Sequence, residues 1–333
     1  MTEHDRRAVV AWLFTCAAFT FAMIVVGGIT RLTESGLSMV EWQPVVGALP
    51  PLSQSDWEAL FAKYRETPQF QRAFPGMDLA GFKGIFWWEY LHRLLGRLIG
   101  IVFFVPYVFF LVKRKITKTL AWKLAGVFVL GGLQGALGWY MVKSGLVDDP
   151  RVSHFRLTAH LGLALLIFSA EVWIALNLLF SPGGFPSRLK AFPVCVAALV
   201  FLMALSGGFV AGLRAGHAYN TFPLMNGHLI PPEAFMLEPW WRNFFWNVAT
   251  VQLMHRMFFW LLLILVPLLW WQARRTQAKL AAHHLLGMFL LQATLGISTL
   301  LLSVPVPLAA MHQAGAVLLL AAALWTAQAS RRE

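Results

Sequence analysis

Four of the ten histidines in this 333-residue chain, His92, His160, His255 and His312, sit inside long apolar runs. An ionisable side chain is costly in such a setting and marks a functional site. Neutral imidazole is the commonest metal ligand, and facing imidazoles suit haem iron as well as a bare ion. Zinc asks for four N, S or O ligands, and no cysteine or second carboxylate accompanies each pair, so zinc fits less well. A second feature accompanies the histidines. Glu89 precedes His92 by three residues, and Gln252 precedes His255 by three. Positions i and i+3 share a helix face, so Glu89 is expected to face the His92 pocket. A carboxylate and an amide have similar shapes, but only the carboxylate carries charge or moves protons. The alternative for Glu89 is a structural group or a partner of Arg93. The other six histidines are read as structural: His4 in the tail, His283 and His284 beside an apolar run, and His154, His217 and His228 in or next to connections.

The elements that must place these residues are membrane helices. The chain is 58% hydrophobic and 13% charged, against about 45–50% and about 25% for soluble domains. Its mean hydropathy is +0.64. That composition excludes a soluble enzyme, a disordered chain and a nucleic-acid binder, despite a net charge of +12. Two cysteines exclude a disulfide scaffold or a CxxC site. Runs of about 20 apolar residues span a bilayer as helices. Eight occur, near 10–30, 88–112, 120–142, 156–179, 192–213, 246–271, 282–303 and 307–328. Backbone bonding in lipid demands an all-α integral membrane fold, and the short alternating segments of a β-barrel are missing. The first run, with Arg6 and Arg7 before it and no small-residue cleavage site, is expected to be a retained helix.

Charge distribution sets the orientation. The N-terminus, the 2–3, 4–5 and 6–7 connections (with Arg188 and Lys190 in the second of these) and the C-terminus hold fourteen Lys/Arg against three acids. The other connections hold ten of each sign. The positive-inside rule makes the first set cytoplasmic, with both termini inside. Counted from the outer ends, all four membrane histidines then lie about 8–14 Å deep, on even-numbered spans.

Four marks occur twice in the same order. Gly27-Gly28 and Gly207-Gly208 lie 180 residues apart, His92-Arg93 and His255-Arg256 163, Gln134 and Gln292 158, and His160 and His312 152. The chain therefore reads as two pseudo-symmetric four-helix bundles, a parallel repeat: residues 1–180 and residues 181–333. Each half offers two imidazoles at one depth, as an axially ligated haem requires, so two haem sites are expected. The Glu89/Gln252 difference assigns chemistry to the N-terminal half and a fixed haem to the C-terminal half. Arg93, Arg97 and Arg256 need oxygen partners, which either haem propionates or helix-end carbonyls supply. Glu171, deep in the fourth span, is read as structural. The long 1–2 connection has helical character from Trp57 to Phe74, and a Pro-containing turn (Pro305, Pro307) joins the last two spans.

The sequence resembles the haem A synthase family of the proteobacterial and mitochondrial type over nearly its whole length. The motifs are Gly27 to Ser38 with Glu41-Trp42-Gln43-Pro44, Glu89-Tyr-Leu-His92-Arg93, Ala159-His160, Asn220 to Met225, Met254-His255-Arg256 and Met311-His312-Gln313. The resemblance implies oxidation of the C8 methyl of haem O to a formyl by successive hydroxylations, giving haem A for terminal oxidases. It implies that His92 and His160 bind the substrate haem O, that His255 and His312 bind a haem b cofactor, and that Glu89 is catalytic. It further implies a bacterial cytoplasmic membrane location with the haem sites toward the outer side. The expected associates are haem O synthase, terminal oxidase assembly, membrane lipid and an unidentified electron donor, and the family allows a homo-oligomer. Some relatives carry a cysteine pair in outer loops; here Cys16 and Cys195 both lie within spans. Two other readings of the residues remain: a cytochrome b-like electron-transfer protein, which would place haems near both membrane faces, and a haem-binding or transport protein, which leaves the Glu89/Gln252 difference unexplained.

Overall fold

The computed structural model describes residues 1–41, 47, 49–146, 150–180 and 191–331. Trp42, Gln43 and Pro44 of the first motif, and Arg188, Lys190, Arg332 and Glu333 of the charge pattern, lie outside the described residues. Eleven α-helices occur among them: α1 Glu3–Leu32, α2 Gln54–Arg65, α3 Pro68–Ala73, α4 Leu79–Val112, α5 Lys118–Lys143, α6 His154–Leu179, α7 Ala191–Gly212, α8 Asn243–Trp246, α9 Val248–Ala273, α10 Lys279–Leu301 and α11 Val306–Ala329. Eight of these are long and apolar enough to cross a membrane. They coincide with the eight expected spans, and no β-strand is formed among the described residues. The helices exceed the apolar runs because their polar ends are capped. Asp78 accepts from the Gly81 N–H at the start of α4, and Thr117 from Leu120 at the start of α5.

The largest difference from the expected boundaries is at α4, which starts at Leu79 rather than near residue 88. The added turns are aromatic and do not read as membrane. Phe82 and Phe86 are buried there, against Trp57 and Tyr64 of α2. Trp57 meets Phe86 edge-on at 4.9 Å between centroids, and Tyr64 lies 5.1 Å from Phe82. Such pairs contribute about 0.5–1.5 kcal/mol each beyond their burial. The helical character expected from Trp57 to Phe74 thus becomes α2 and α3, which lock the 1–2 connection onto α4.

Contacts divide the chain into two compact units, Ala18–Ala164 and Met1–Ala17 with Leu165–Glu333. In the first, α4 packs against α2 and α5. The α1 residue Thr30 sets its hydroxyl 3.3 Å from the Trp88 carbonyl of α4. In the second, α7 packs on α9 and α11, and α10 packs on the same two, closing a ring of four helices. The start of α9 is fixed by Asn247. Its carboxamide oxygen accepts from the Thr250 N–H at 3.0 Å, while its nitrogen donates to the Glu233 carbonyl at 2.7 Å. An Asn cap replaced by alanine costs about 1 kcal/mol. Asn247→Ala is therefore expected to lower the thermal unfolding midpoint of the detergent-solubilised protein by a few degrees, read by loss of helical circular dichroism. An unchanged midpoint would show the cap to be redundant.

Candidate functional site

Each of the four membrane histidines lies against a glycine of the neighbouring helix. A Cβ built on Gly27 of α1 would stand 2.8 Å from Cε1 of His92 on α4, and one on Gly138 of α5 2.9 Å from Cε1 of His160 on α6. In the other unit, a Cβ on Gly207 of α7 would lie 3.4 Å from His255 on α9, and one on Gly296 of α10 2.7 Å from His312 on α11. Three imidazoles, those of His92, His160 and His312, thus occupy space that only glycine leaves open, whereas a Cβ on Gly207 would make an ordinary contact with His255. His92 and His160 lie in one compact unit, and His255 and His312 lie in the other. Each histidine pair expected from the sequence thus falls within a single unit.

The repeat extends to the amides. Gln134 donates from Nε2 to the His160 carbonyl at 3.0 Å, and Gln292 donates to the His312 carbonyl at 2.9 Å. Each glutamine ties the third helix of its repeat to the histidine backbone of the fourth. Among the described residues, no group of three or more His, Cys, Asp or Glu is assembled as a metal-ion site. Among those residues, no third or fourth protein ligand of the kind zinc needs joins either imidazole pair. Their surroundings do fit an axially held haem. A glycine cradle faces each ring, and the buried Nδ1 atoms of His92, His160 and His312 have no hydrogen-bond partner among the described residues.

Glu89 is 2% exposed on α4 and makes four directed contacts. Its Oε1 accepts from Arg93 Nη2 at 2.6 Å and Nε at 3.1 Å. Its Oε2 accepts from the Ser38 hydroxyl at 2.7 Å and the Met39 N–H at 2.8 Å. The carboxylate thus clasps the start of the 1–2 connection, and Arg93 completes the clasp by donating to the carbonyls of Met39 and Glu41. Gln252 and Arg256 do the same to the α7–α9 connection. Gln252 donates to the carbonyls of Ala215 and Tyr219, and Arg256 to those of Tyr219, Pro223 and Leu224. Of the two kinds of oxygen expected around Arg93 and Arg256, the structure shows backbone carbonyls, joined by the Glu89 carboxylate at Arg93. Arg97 lies one turn beyond Arg93 on α4 and is partly buried.

A family model described as cytochrome oxidase assembly protein, COX15-CtaA, matches residues 10–324, a stretch that holds every residue of both histidine pairs and both clasps. The chain belongs to this family. It is 58% identical to the Heme A synthase of Nitrosospira multiformis over 98% of this chain and 95% of that protein. It is 56% identical to the Heme A synthase of Nitrosomonas eutropha over 97% of this chain and 93% of that one. The protein of the same name from Parvibaculum lavamentivorans is 51% identical over 97% and 94%. The family expected from the motifs is the family found.

Two parts of this COX15-CtaA chain's site escaped the sequence reading. Ser38 and the Met39 amide lie some fifty residues from Glu89, and only the folded connection brings them together. Ser206, beside Gly207, sets its hydroxyl 2.7 Å from Nδ1 of His255. A signal for the latter was present, since the double-glycine mark of the repeat sits next to it, but nothing in the sequence showed which side chain would meet the imidazole.

Proposed function

We propose that this chain is a membrane haem-dependent oxidoreductase that converts haem O to haem A. The observation that carries this is likeness at 51–58% identity, over nearly the full length, to proteins named Heme A synthase. The oxidised position is the C8 methyl, taken through successive hydroxylations to a gem-diol that loses water to leave the formyl. In this reading residues 1–180 form the substrate half, with His92 and His160 as the imidazoles that hold haem O. Residues 181–333 form the cofactor half, with His255 and His312 holding haem b. When bound there, haem b supplies electron transfer for the oxidation.

The protein's own groups orient and electrostatically match the substrate. Gly27 and Gly138 leave room for the imidazole rings, and Gln134 fixes the backbone that carries His160. Glu89 places negative charge on the helix face beside His92, where it stabilises positive charge developing at the methyl carbon. Both of its oxygens are already filled by donors, so this fixed-charge role needs no rearrangement, whereas taking up a proton needs one donor to leave. Arg97 and Arg256 supply positive charge at the depth of the histidines, which suits haem propionates, while the charge of Arg93 is matched by Glu89. The distribution of Lys and Arg supports cytoplasmic termini and haem sites toward the outer side of a bacterial cytoplasmic membrane. Haem O synthase upstream, terminal oxidase assembly downstream and an electron donor complete the setting.

The test is direct. In a host that makes haem O but lacks this activity, expression of the chain is expected to yield haem A in acid–acetone extracts resolved by chromatography. A host that accumulates only haem O while making full-length, membrane-inserted protein would overturn the proposal.

A further inference from the structure

The four imidazoles are not held alike. Ser206 is 6% exposed on α7, and its hydroxyl oxygen lies 2.7 Å from the Met203 carbonyl and 2.7 Å from Nδ1 of His255. A hydroxyl has one proton to give. Donated to the carbonyl, it leaves a lone pair facing Nδ1, so Nδ1 must carry the ring proton. Nε2 is then the bare nitrogen, the form in which imidazole binds a metal. The other three rings lack this arrangement, because Nδ1 of His92, His160 and His312 is buried with no hydrogen-bond partner among the described residues. At the repeat position of Ser206 stands Val26, whose side chain has nothing to accept a proton. A Cβ built on Gly207 would also stand an ordinary 3.4 Å from the His255 ring, whereas those built on the glycines facing the other three rings would come to 2.7–2.9 Å.

We propose that Ser206 is a positioning residue that fixes the tautomer and plane of His255, making it the strong, permanently set axial ligand of the C-terminal haem. This rests on the reading of His255 and His312 as haem b ligands. A hydrogen bond at the far ring nitrogen makes the imidazole a stronger donor and orients it, and loss of such a partner commonly weakens metal binding about 10–100-fold. The competing role for Ser206 is local. Serines in membrane helices often bond a carbonyl three or four residues back, as Ser206 does with Met203, and that alone would leave a haem unaffected.

The holoprotein distinguishes them. With Ser206→Ala, haem b is expected to wash out of the detergent-solubilised protein about 10-fold or more readily. The remainder is expected to show a raised midpoint potential, because a weaker donor stabilises ferric iron less, and to gain carbon monoxide binding in the ferrous state. Ser206→Thr, which keeps the hydroxyl, is expected to restore all three. Where the alanine chain does not accumulate, Ser206→Cys, close in size but a weak acceptor, takes its place. His255→Ala serves as the reference. If it removes the b-type spectrum while Ser206→Ala (or Ser206→Cys) leaves retention, potential and carbon monoxide binding unchanged, the positioning role is wrong and the site stands. If His255→Ala leaves the b-type spectrum intact, the assignment of the haem site itself fails.

Discussion

Replacing Glu89 with glutamine is expected to cut haem A formation by about 100-fold or more while leaving haem O bound to the protein. The magnitude follows from what a preorganised electrostatic stabiliser contributes to a rate, about 100- to 1,000-fold. The usual objection to such a variant is misfolding, since removing one partner of a buried ion pair costs about 3–5 kcal/mol. The chain supplies its own answer. In the other unit an amide already occupies the equivalent place, with Gln252 Oε1 3.5 Å from Arg256 Nη2. There the guanidinium relies on the carbonyls of Tyr219, Pro223 and Leu224 instead. Arg93 keeps the carbonyls of Met39 and Glu41 when Glu89 becomes glutamine. A glutamine carbonyl can still accept from one donor at this position. Glu89→Gln therefore removes charge and leaves the clasp largely in place. The converse change, Gln252→Glu, is expected to leave haem A yield nearly unaltered. Haem extracted from membranes of both variants, normalised to protein, decides the matter. A normal haem A yield from Glu89→Gln would remove Glu89 from the chemistry and leave it as a tether of the 1–2 connection.

That double character of Glu89 shows where sequence reading runs out. Periodicity and composition identified the membrane helices, because a span must bury every backbone polar group within itself and so leaves a long apolar run. They missed the start of α4 by nine residues, because Phe82 and Phe86 belong to a layer formed with Trp57 and Tyr64, contacts between residues far apart in the chain. The histidines stood out as two pairs in the sequence because the chain repeats itself, and repetition turns four weak marks into one strong pattern. Gly27 and Gly207 were legible as marks of that repeat, but not as the surfaces the rings lie on. The i, i+3 spacing suggested that Glu89 shares a face with His92, and the structure adds the i, i+4 ion pair to Arg93 together with two donors from the 1–2 connection. Those two donors follow from a loop conformation, which no helix period encodes. The same holds for Ser206, whose meaning depends on the direction of one hydroxyl.

The glycine cradles give the other large expected effect, and here the fold and the site are predicted to part. Gly296→Val is expected to remove the C-terminal haem signal while the protein remains folded and membrane-inserted. A Cβ at this position would meet Cε1 of His312 at 2.7 Å, closer than real contacts allow. The three atoms nearest to it all belong to the imidazole ring. The ring can turn away, so the helices need not separate and the cost in stability is small. A turned ring, however, no longer presents its nitrogen where its partner on α9 presents its own. If the glycines served helix packing, as small residues in membrane helices often do, the clash would be with backbone and the protein would fail to fold. The distances further predict an order. Alanine at Gly27, Gly138 or Gly296 is expected to damage haem binding in its own unit, whereas Gly207→Ala, at an ordinary 3.4 Å from His255, is expected to be mild. Gly100→Ala and Gly132→Ala, with nothing within 4 Å, are expected to be neutral or slightly stabilising, because alanine favours the helix by up to about 1 kcal/mol. Haem per polypeptide in the purified variants tests the series. Equal losses at Gly207 and Gly296, or a loss at Gly132, would show that helix packing and not room for the imidazoles sets these positions.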